Sequence, residues 1–346
     1  MTTARRTATV GFVKRTQRLR MRMARIKVAG RGAVYHCISR VVGGQRLLGP
    51  REKEKLRTML WQQAAFSGVE IITYCLMANH IHLLVRVPAE VSASDGELVA
   101  RAVTFYGKKS LYAQTLEQAF EPQGALPEDL REGLLERMGD VSVFMKELKQ
   151  RFSKWFNKDR NRFGTLWAER FKSVLVEDQP GVVQTVAAYV DLNPVRAGLV
   201  KDPKDYRWCG YGEAVAGSEV ARRGLVSFHR SKEWSEVGTE YRKVLLVTSG
   251  TAGRSGKVVL DPEEIRRELK REGVLTMGQV LRLRVRYFSD GVVLGSRNYV
   301  NGIFAEYRDR FGPRRKSGAR PLRGLGALEA LGELTTMRDL RVDVVG

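Results

Sequence analysis

The chain has 346 residues, enough for two domains or for one domain with sizeable attachments. With 43% hydrophobic and 28% charged residues it is neither a collagen, a coiled coil nor a wholly disordered polymer, so a folded core is expected. Sixty Lys and Arg against 38 Asp and Glu leave a formal charge of +22, which points to a polyanionic partner, nucleic acid foremost. The three cysteines, Cys37, Cys75 and Cys209, are widely spaced and never form CxxC, so neither a disulfide framework nor a cysteine zinc site is suggested, and a reducing cytoplasm fits. No run of 18 apolar residues occurs, so no membrane span and no membrane partner are expected.

Residues 1–31 carry ten basic residues and no acid, the first carboxylate being Glu52. This segment reads as a basic N-terminal arm that contacts DNA; an inert solvated tail and an organelle transit peptide remain alternatives. From residue 32 the pattern tightens. GAVYHCISRVV alternates like a strand, Gly43-Gly44 turns the chain, and Leu56, Leu60 and Ala64 recur at helical spacing between Pro50 and Gly68. VEIITYCLM and HIHLLVRV then read as two strands joined by Ala78-Asn79. Residues 90–140 hold ten acids against five bases with Pro122 and Pro127, and read as an acidic insertion that does not line a DNA groove. A helix follows from Val141, with Phe144, Leu148, Phe152 and Trp155 on its inner face and Lys146, Lys149, Lys154 and Lys158 elsewhere. GTLWAERFKSVLVED predicts a strand bearing Arg170 and Lys172, and Gln179-Pro180 opens a helix through Val182, Val186 and Tyr189.

The series βαββαβα predicts an α+β fold, a ferredoxin-like split-βαβ antiparallel sheet with one added helix that bears a tyrosine. The expected catalytic domain is 32–217, followed by a linker over 218–260, a helical C-terminal region over 261–323 and a tail over 324–346. That helical region could serve as an auxiliary DNA-binding unit or as a packing or dimerisation element.

His80 and His82 alternate with Ile81 on one strand, so both imidazoles leave the same side, about 6.6 Å apart at the backbone, and can share a metal ion. A hydrogen-bonded structural pair is the plainer alternative. In AAYVDLNPVRAGLV, Asn193 follows Tyr189 by four residues, which stacks a phenol and an amide on one helix face, although Pro194 loosens the helix there. A tyrosine nucleophile needs a base or a metal that activates the phosphorus, and neutral imidazoles with an amide oxygen suit Mg2+ or Mn2+. A core aromatic is the competing reading of Tyr189.

YHCISR, MANHIHLLV, LWAERFKSVLV, YVDLNPVRAGLV and DYRWCGY, in this order, resemble the single-tyrosine HUH transposases, specifically the REP-associated tyrosine transposase branch. The resemblance covers 33–217 apart from the insertion. It implies metal ligands at His80, His82 and Asn193, a nucleophile at Tyr189, and metal-dependent cleavage and rejoining of single-stranded DNA near a hairpin through a 5′-phosphotyrosine. Ala78 stands where the family usually has proline, and Cys209-Gly210 where Ser-Ser is common. Arg40 and the bases from Lys146 to Lys172, interleaved with Trp155, Phe156, Phe163 and Trp167, are the expected DNA contacts, though the aromatics equally suit a core. The expected partner is single-stranded or hairpin DNA, in a cytoplasmic, nucleoid-associated setting, with homodimer and monomer both compatible. The runner-up is a non-catalytic DNA- or RNA-binding regulator on the same fold; a metal-independent ribonuclease is a weaker rival.

Overall fold

A computed structural model describes residues 25–28, 30–229, 233–249, 288–289, 291–321 and 334–337. Most of the basic arm, much of the expected C-terminal region and nearly all of the tail lie outside the described residues.

Strand β1 (Ala33–Arg40) leads to helix α1 (Pro50–Ser67), which starts with proline in its first turn and stops at Gly68, whose φ of 69° is the left-handed conformation glycine adopts without penalty. Strands β2 (Glu70–Leu76) and β3 (His80–Val87) follow, and later β4 (Lys172–Val176). These pair in the order β2-β3-β1-β4, antiparallel throughout, which is the split-βαβ arrangement expected from the sequence. The β2–β3 turn is anchored without the family's proline: Leu48 and Val41 donate backbone hydrogen bonds to Ala78 and Asn79, at 2.9 and 2.8 Å.

Side-chain alternation splits the sheet into two faces. Tyr35, Cys37, Ile81, Leu83 and Val85 point to one core, closed by α1 and by α5 (Val141–Asp159) through Phe144, Leu148 and Phe152. Val34, Leu84, Val174 and Val176 point to the other, closed by α6 (Pro180–Asp191). Helix α6, followed by the single turn α7 (Asn193–Arg196), is buried nearly all round: α10 (Trp234–Ser249) packs on it, and α8 (Gly210–Val215) and α9 (Glu219–Val226) lie beside it against β2. Helices thus pack on both faces of the sheet, and within the expected linker 218–260 the described residues hold the helices α9 and α10.

The Cys209-Gly210 departure has a local cause. A Cβ at Gly210 would collide with Thr73 Oγ1 and lie 3.1 Å from the Thr73 Cα, while Cys209 Sγ accepts from Gly212 N at 3.3 Å and so caps α8 as a serine would.

The acidic insertion folds as α2 (Asp95–Tyr106), α3 (Leu111–Phe120) and α4 (Glu128–Leu135). A Ser94–Glu97 capping box starts α2, and the three helices build a small core over Phe66 of α1. The C-terminal region departs from a purely helical expectation. It supplies β5 (Val293–Ser296), helix α11 (Arg297–Glu306) and β6 (Arg320–Pro321), and the expected tail supplies β7 (Leu334–Met337). Strand β5 pairs parallel with β4, so among the described residues the sheet runs to seven strands, β2-β3-β1-β4-β5-β7-β6.

Candidate active site

Even-numbered residues of β1 and β3 face α6. Register pairs Ile38 with His82 and Arg40 with His80, so His36 and His82 become diagonal neighbours, and their rings stack at 5.2 Å with planes 15° apart. His80 meets His82 edge-on at 5.0 Å. Tyr189 descends from α6 onto this group, 5.7 Å from His36 and 5.8 Å from His82, in edge contacts with both. The sheet thus brings together His80, His82 and Tyr189, the residues the sequence singles out.

Each of the two imidazoles has a hydrogen-bond partner at Nδ1. His82 Nδ1 faces His36 Nε2 at 2.9 Å, and His80 Nδ1 faces Asn79 Oδ1 at 2.7 Å. Neither Nε2 has a hydrogen-bond partner among the described residues. Burial lowers the pKa of His80 to about 4, and burial with the neighbouring His36 and His80 pushes His82 well below its ordinary value, so both rings are neutral near pH 7 and keep a lone pair. These residues therefore fit a divalent ion held by two imidazoles. No cluster of three or more His, Cys, Asp or Glu side chains that could hold a metal occurs among the described residues. Asn193, four residues after Tyr189, turns its Nδ2 back onto α6 and donates to the carbonyls of Tyr189 and Val190, at 3.1 and 3.0 Å, so that Oδ1 takes no part in these two bonds.

Three site residues escape sequence reasoning. His36 lies in the quoted YHCISR motif, and its even-numbered strand position is the signal that places it beside His82. Arg196, seven residues or two helical turns after Tyr189, sets its guanidinium 4.4 Å from the Tyr189 ring centroid and donates to the Tyr189 carbonyl. Phe288 stacks on Tyr189 at 4.8 Å with planes 22° apart, and its carbonyl lies 2.8 Å from His36 Nδ1. No local signal ties Phe288 to a tyrosine 99 positions earlier.

The expected DNA contacts divide between the layers. Arg40 and Lys172 are exposed and follow the strand alternation onto the Tyr189 face, and the charge of Arg40 reaches both His80 and His82. Lys146, Lys154 and Lys158 are exposed on α5, in the layer across the sheet from Tyr189. Lys149 is half-buried there, its ammonium on the Glu169 carbonyl at 2.9 Å and its pKa lowered by burial to about 8. Arg170 is exposed in the loop before β4. Of the interleaved aromatics, Phe156 and Trp167 are core, Trp155 is partly buried, and Phe163 is 90% exposed. At the described end of the arm, Arg25 binds Ser173 Oγ, Ser142 Oγ and the Phe171 carbonyl, while Lys27 pairs with Asp140.

Residues 31–101 match the family described as transposase IS200 like. The matched stretch holds His36, Arg40, His80 and His82, and Tyr189 lies beyond it. This bears out the resemblance read from the motifs. Similar solved structures include two that are each 15% identical. A REP-associated tyrosine transposase bound to a REP hairpin aligns over 58% of this chain and 89% of its own, with a TM-score of 0.36. A candidate transposase from Deinococcus radiodurans R1 aligns over 45% and 87%, with a TM-score of 0.23. No curated protein matches. Among the described residues no helix is long and apolar enough to cross a membrane.

Proposed function

We propose that the chain cleaves and rejoins single-stranded DNA near hairpin or repeat sequences, through a covalent 5′-phosphotyrosine at Tyr189 and with Mg2+ or Mn2+ at His80, His82 and Asn193 Oδ1. The observation that carries this reading is the convergence of Tyr189 from α6 with His80 and His82 from β3, together with the match to a transposase family over the histidine-bearing residues. When bound, the divalent ion polarises the scissile phosphate and offsets charge in the five-coordinate state.

The chain's own groups supply the rest. Tyr189 Oη forms the bond to phosphorus and loses its proton to water; the bond from phosphorus to the 3′ oxygen breaks, and that oxygen takes up a proton. The product is a 5′-phosphotyrosine and a free 3′-hydroxyl, with one phosphodiester exchanged for another. In rejoining, a 3′-hydroxyl loses its proton to water as its oxygen bonds to the same phosphorus, and Tyr189 departs as phenolate. Arg196 over the ring stabilises that charge. Arg40 and Lys172 hold neighbouring phosphates on the same face.

Tyr189 is 2% exposed and stacks on Phe288, so a DNA phosphate reaches its hydroxyl only when part of this cover has moved. That cover is also the one observation favouring a non-catalytic, binding-only role. Incubation with a single-stranded hairpin DNA and Mn2+, followed by mass spectrometry, separates the two. A 5′-phosphoryl oligonucleotide on the peptide containing Tyr189 is expected. Attachment at another residue, or cleavage with no adduct, overturns the reading.

A further inference from the structure

We infer that His36 is a positioning residue that fixes the tautomer of His82 and so presents His82 Nε2 to the cation. The inference rests on the metal reading above and extends it to a residue outside the predicted ligand set.

The argument is proton bookkeeping along three groups. The Phe288 carbonyl can only accept a hydrogen bond, so the 2.8 Å contact requires a proton on His36 Nδ1. A neutral imidazole carries one ring proton, which leaves His36 Nε2 as an acceptor. The 2.9 Å contact then requires the proton of His82 to sit on Nδ1, because two lone pairs facing each other at that distance repel. The single ring proton of His82 is thereby used, and its Nε2 retains a lone pair.

His36 is completely buried, and its two ring nitrogens meet a backbone carbonyl and an imidazole with no carboxylate among these partners, so a second ring proton would place an unpaired charge in the interior. The two ring planes lie 15° apart, so the bond runs close to both planes, as a ring N–H and a ring lone pair require. Asn79 wires the other ligand by the same logic. Its Nδ2 donates to the Gly44 carbonyl at 3.3 Å, which turns Oδ1 toward His80 Nδ1 and requires a proton there. Both ligand histidines are thus set to the same tautomer by partners at Nδ1, one of them from the neighbouring strand.

The test reads the proton directly. In metal-free, 15N-labelled protein, long-range 1H–15N spectra of the histidine rings are expected to show His82 as the Nδ1–H tautomer. In His36→Phe, which keeps an aromatic ring and removes the acceptor, that preference is expected to be lost, and the affinity for Mn2+ alone, followed by the EPR signal of the free ion, to fall about 10–100-fold. His36→Gln supplies an amide oxygen that can accept from His82 Nδ1 and an amide nitrogen that can donate to Phe288, and is expected to restore most of the affinity. A wild-type His82 found as the Nε2–H tautomer overturns the inference whether or not the Phe variant folds. So does unchanged Mn2+ affinity in His36→Phe when His82→Ala abolishes binding. Unchanged Mn2+ affinity in both His80→Ala and His82→Ala would instead sink the metal reading, while the tautomer spectrum still decides the role of His36.

Discussion

The Tyr189 ring meets the His82 imidazole edge-on at 5.8 Å, across the boundary between α6 and β3, although the two residues are 107 positions apart. Tyr189→Phe removes one oxygen and keeps the stack on Phe288 and the edge contacts with both histidines. The covalent adduct is expected to disappear, with a stability change of about 1 kcal/mol or less. Gel analysis of protein–DNA adducts alongside thermal unfolding checks both halves. An adduct that persists in the Phe variant rules Tyr189 out as nucleophile.

His80 and His82 share one face of β3, and their neutral rings have no positive charge of their own to offer a phosphate. Replacing either with alanine is expected to abolish cleavage while leaving most DNA affinity in place, and EDTA is expected to reproduce this with the unmodified chain. Full cleavage by the double variant in EDTA would show that no metal is used.

The placement of the basic residues predicts an asymmetry. Arg40→Gln with Lys172→Gln removes two charges on the Tyr189 face, and should lower the slope of log K against log salt for single-stranded DNA by roughly 1.4, at about 0.7 per phosphate contact. Lys146, Lys154 and Lys158, changed together to Gln, lie across the sheet and should leave cleavage rates unaltered. Binding titrations over a range of salt discriminate the two sets, and a larger slope change from the α5 variant would place the DNA on the opposite layer.

Replacing residues 93–138 by a short linker should preserve the chemistry, because α2–α4 contribute nothing to the group around Tyr189. It should nevertheless destabilise the fold. Phe66 of α1 stacks on Phe105 at 4.4 Å and is 1% exposed, so the deletion uncovers a phenyl ring worth about 1.5–3 kcal/mol. Thermal unfolding is expected to show the loss, and Phe66→Ser in the deletion variant to reduce its aggregation. Loss of cleavage in a well-folded deletion variant would mean that the insertion completes the site.

Glu54 ties α1 to the segment before α8. The hydrogen bond from Arg207, joined by that from Arg57, outweighs burial and lowers its pKa to about 2 from 4.5. A carboxylate with a lowered folded-state pKa stabilises the fold fully above about pH 4.5 and loses that contribution as pH falls toward about 2. The side chain is 37% exposed, so screening limits the effect to about 1 kcal/mol. Urea unfolding of Glu54→Gln should differ from the unmodified chain above pH 4.5 and converge with it at lower pH. A constant difference across that window would assign the effect to packing.

Local periodicity carries a good part of this molecule. Alternation along His80-Ile81-His82 decides which side chains enter the core and which face α6, because successive strand residues point in opposite directions whatever surrounds them. The order βαββαβ likewise leads to the β2-β3-β1-β4 sheet, since short connections and the split-βαβ handedness leave few other ways to pair four such strands. Long-range pairing decided the remainder. His36 acquires its role from the β1–β3 register, Phe288 from an approach of the C-terminal region to Tyr189, and the lysines of α5 from the face on which that helix packs. The extension of the sheet by β5, β7 and β6 belongs to the same class, as does the helical cover over α6. Such contacts depend on complementary surfaces brought together by loop closure over many tens of residues, and no short sequence window contains both halves of any of them.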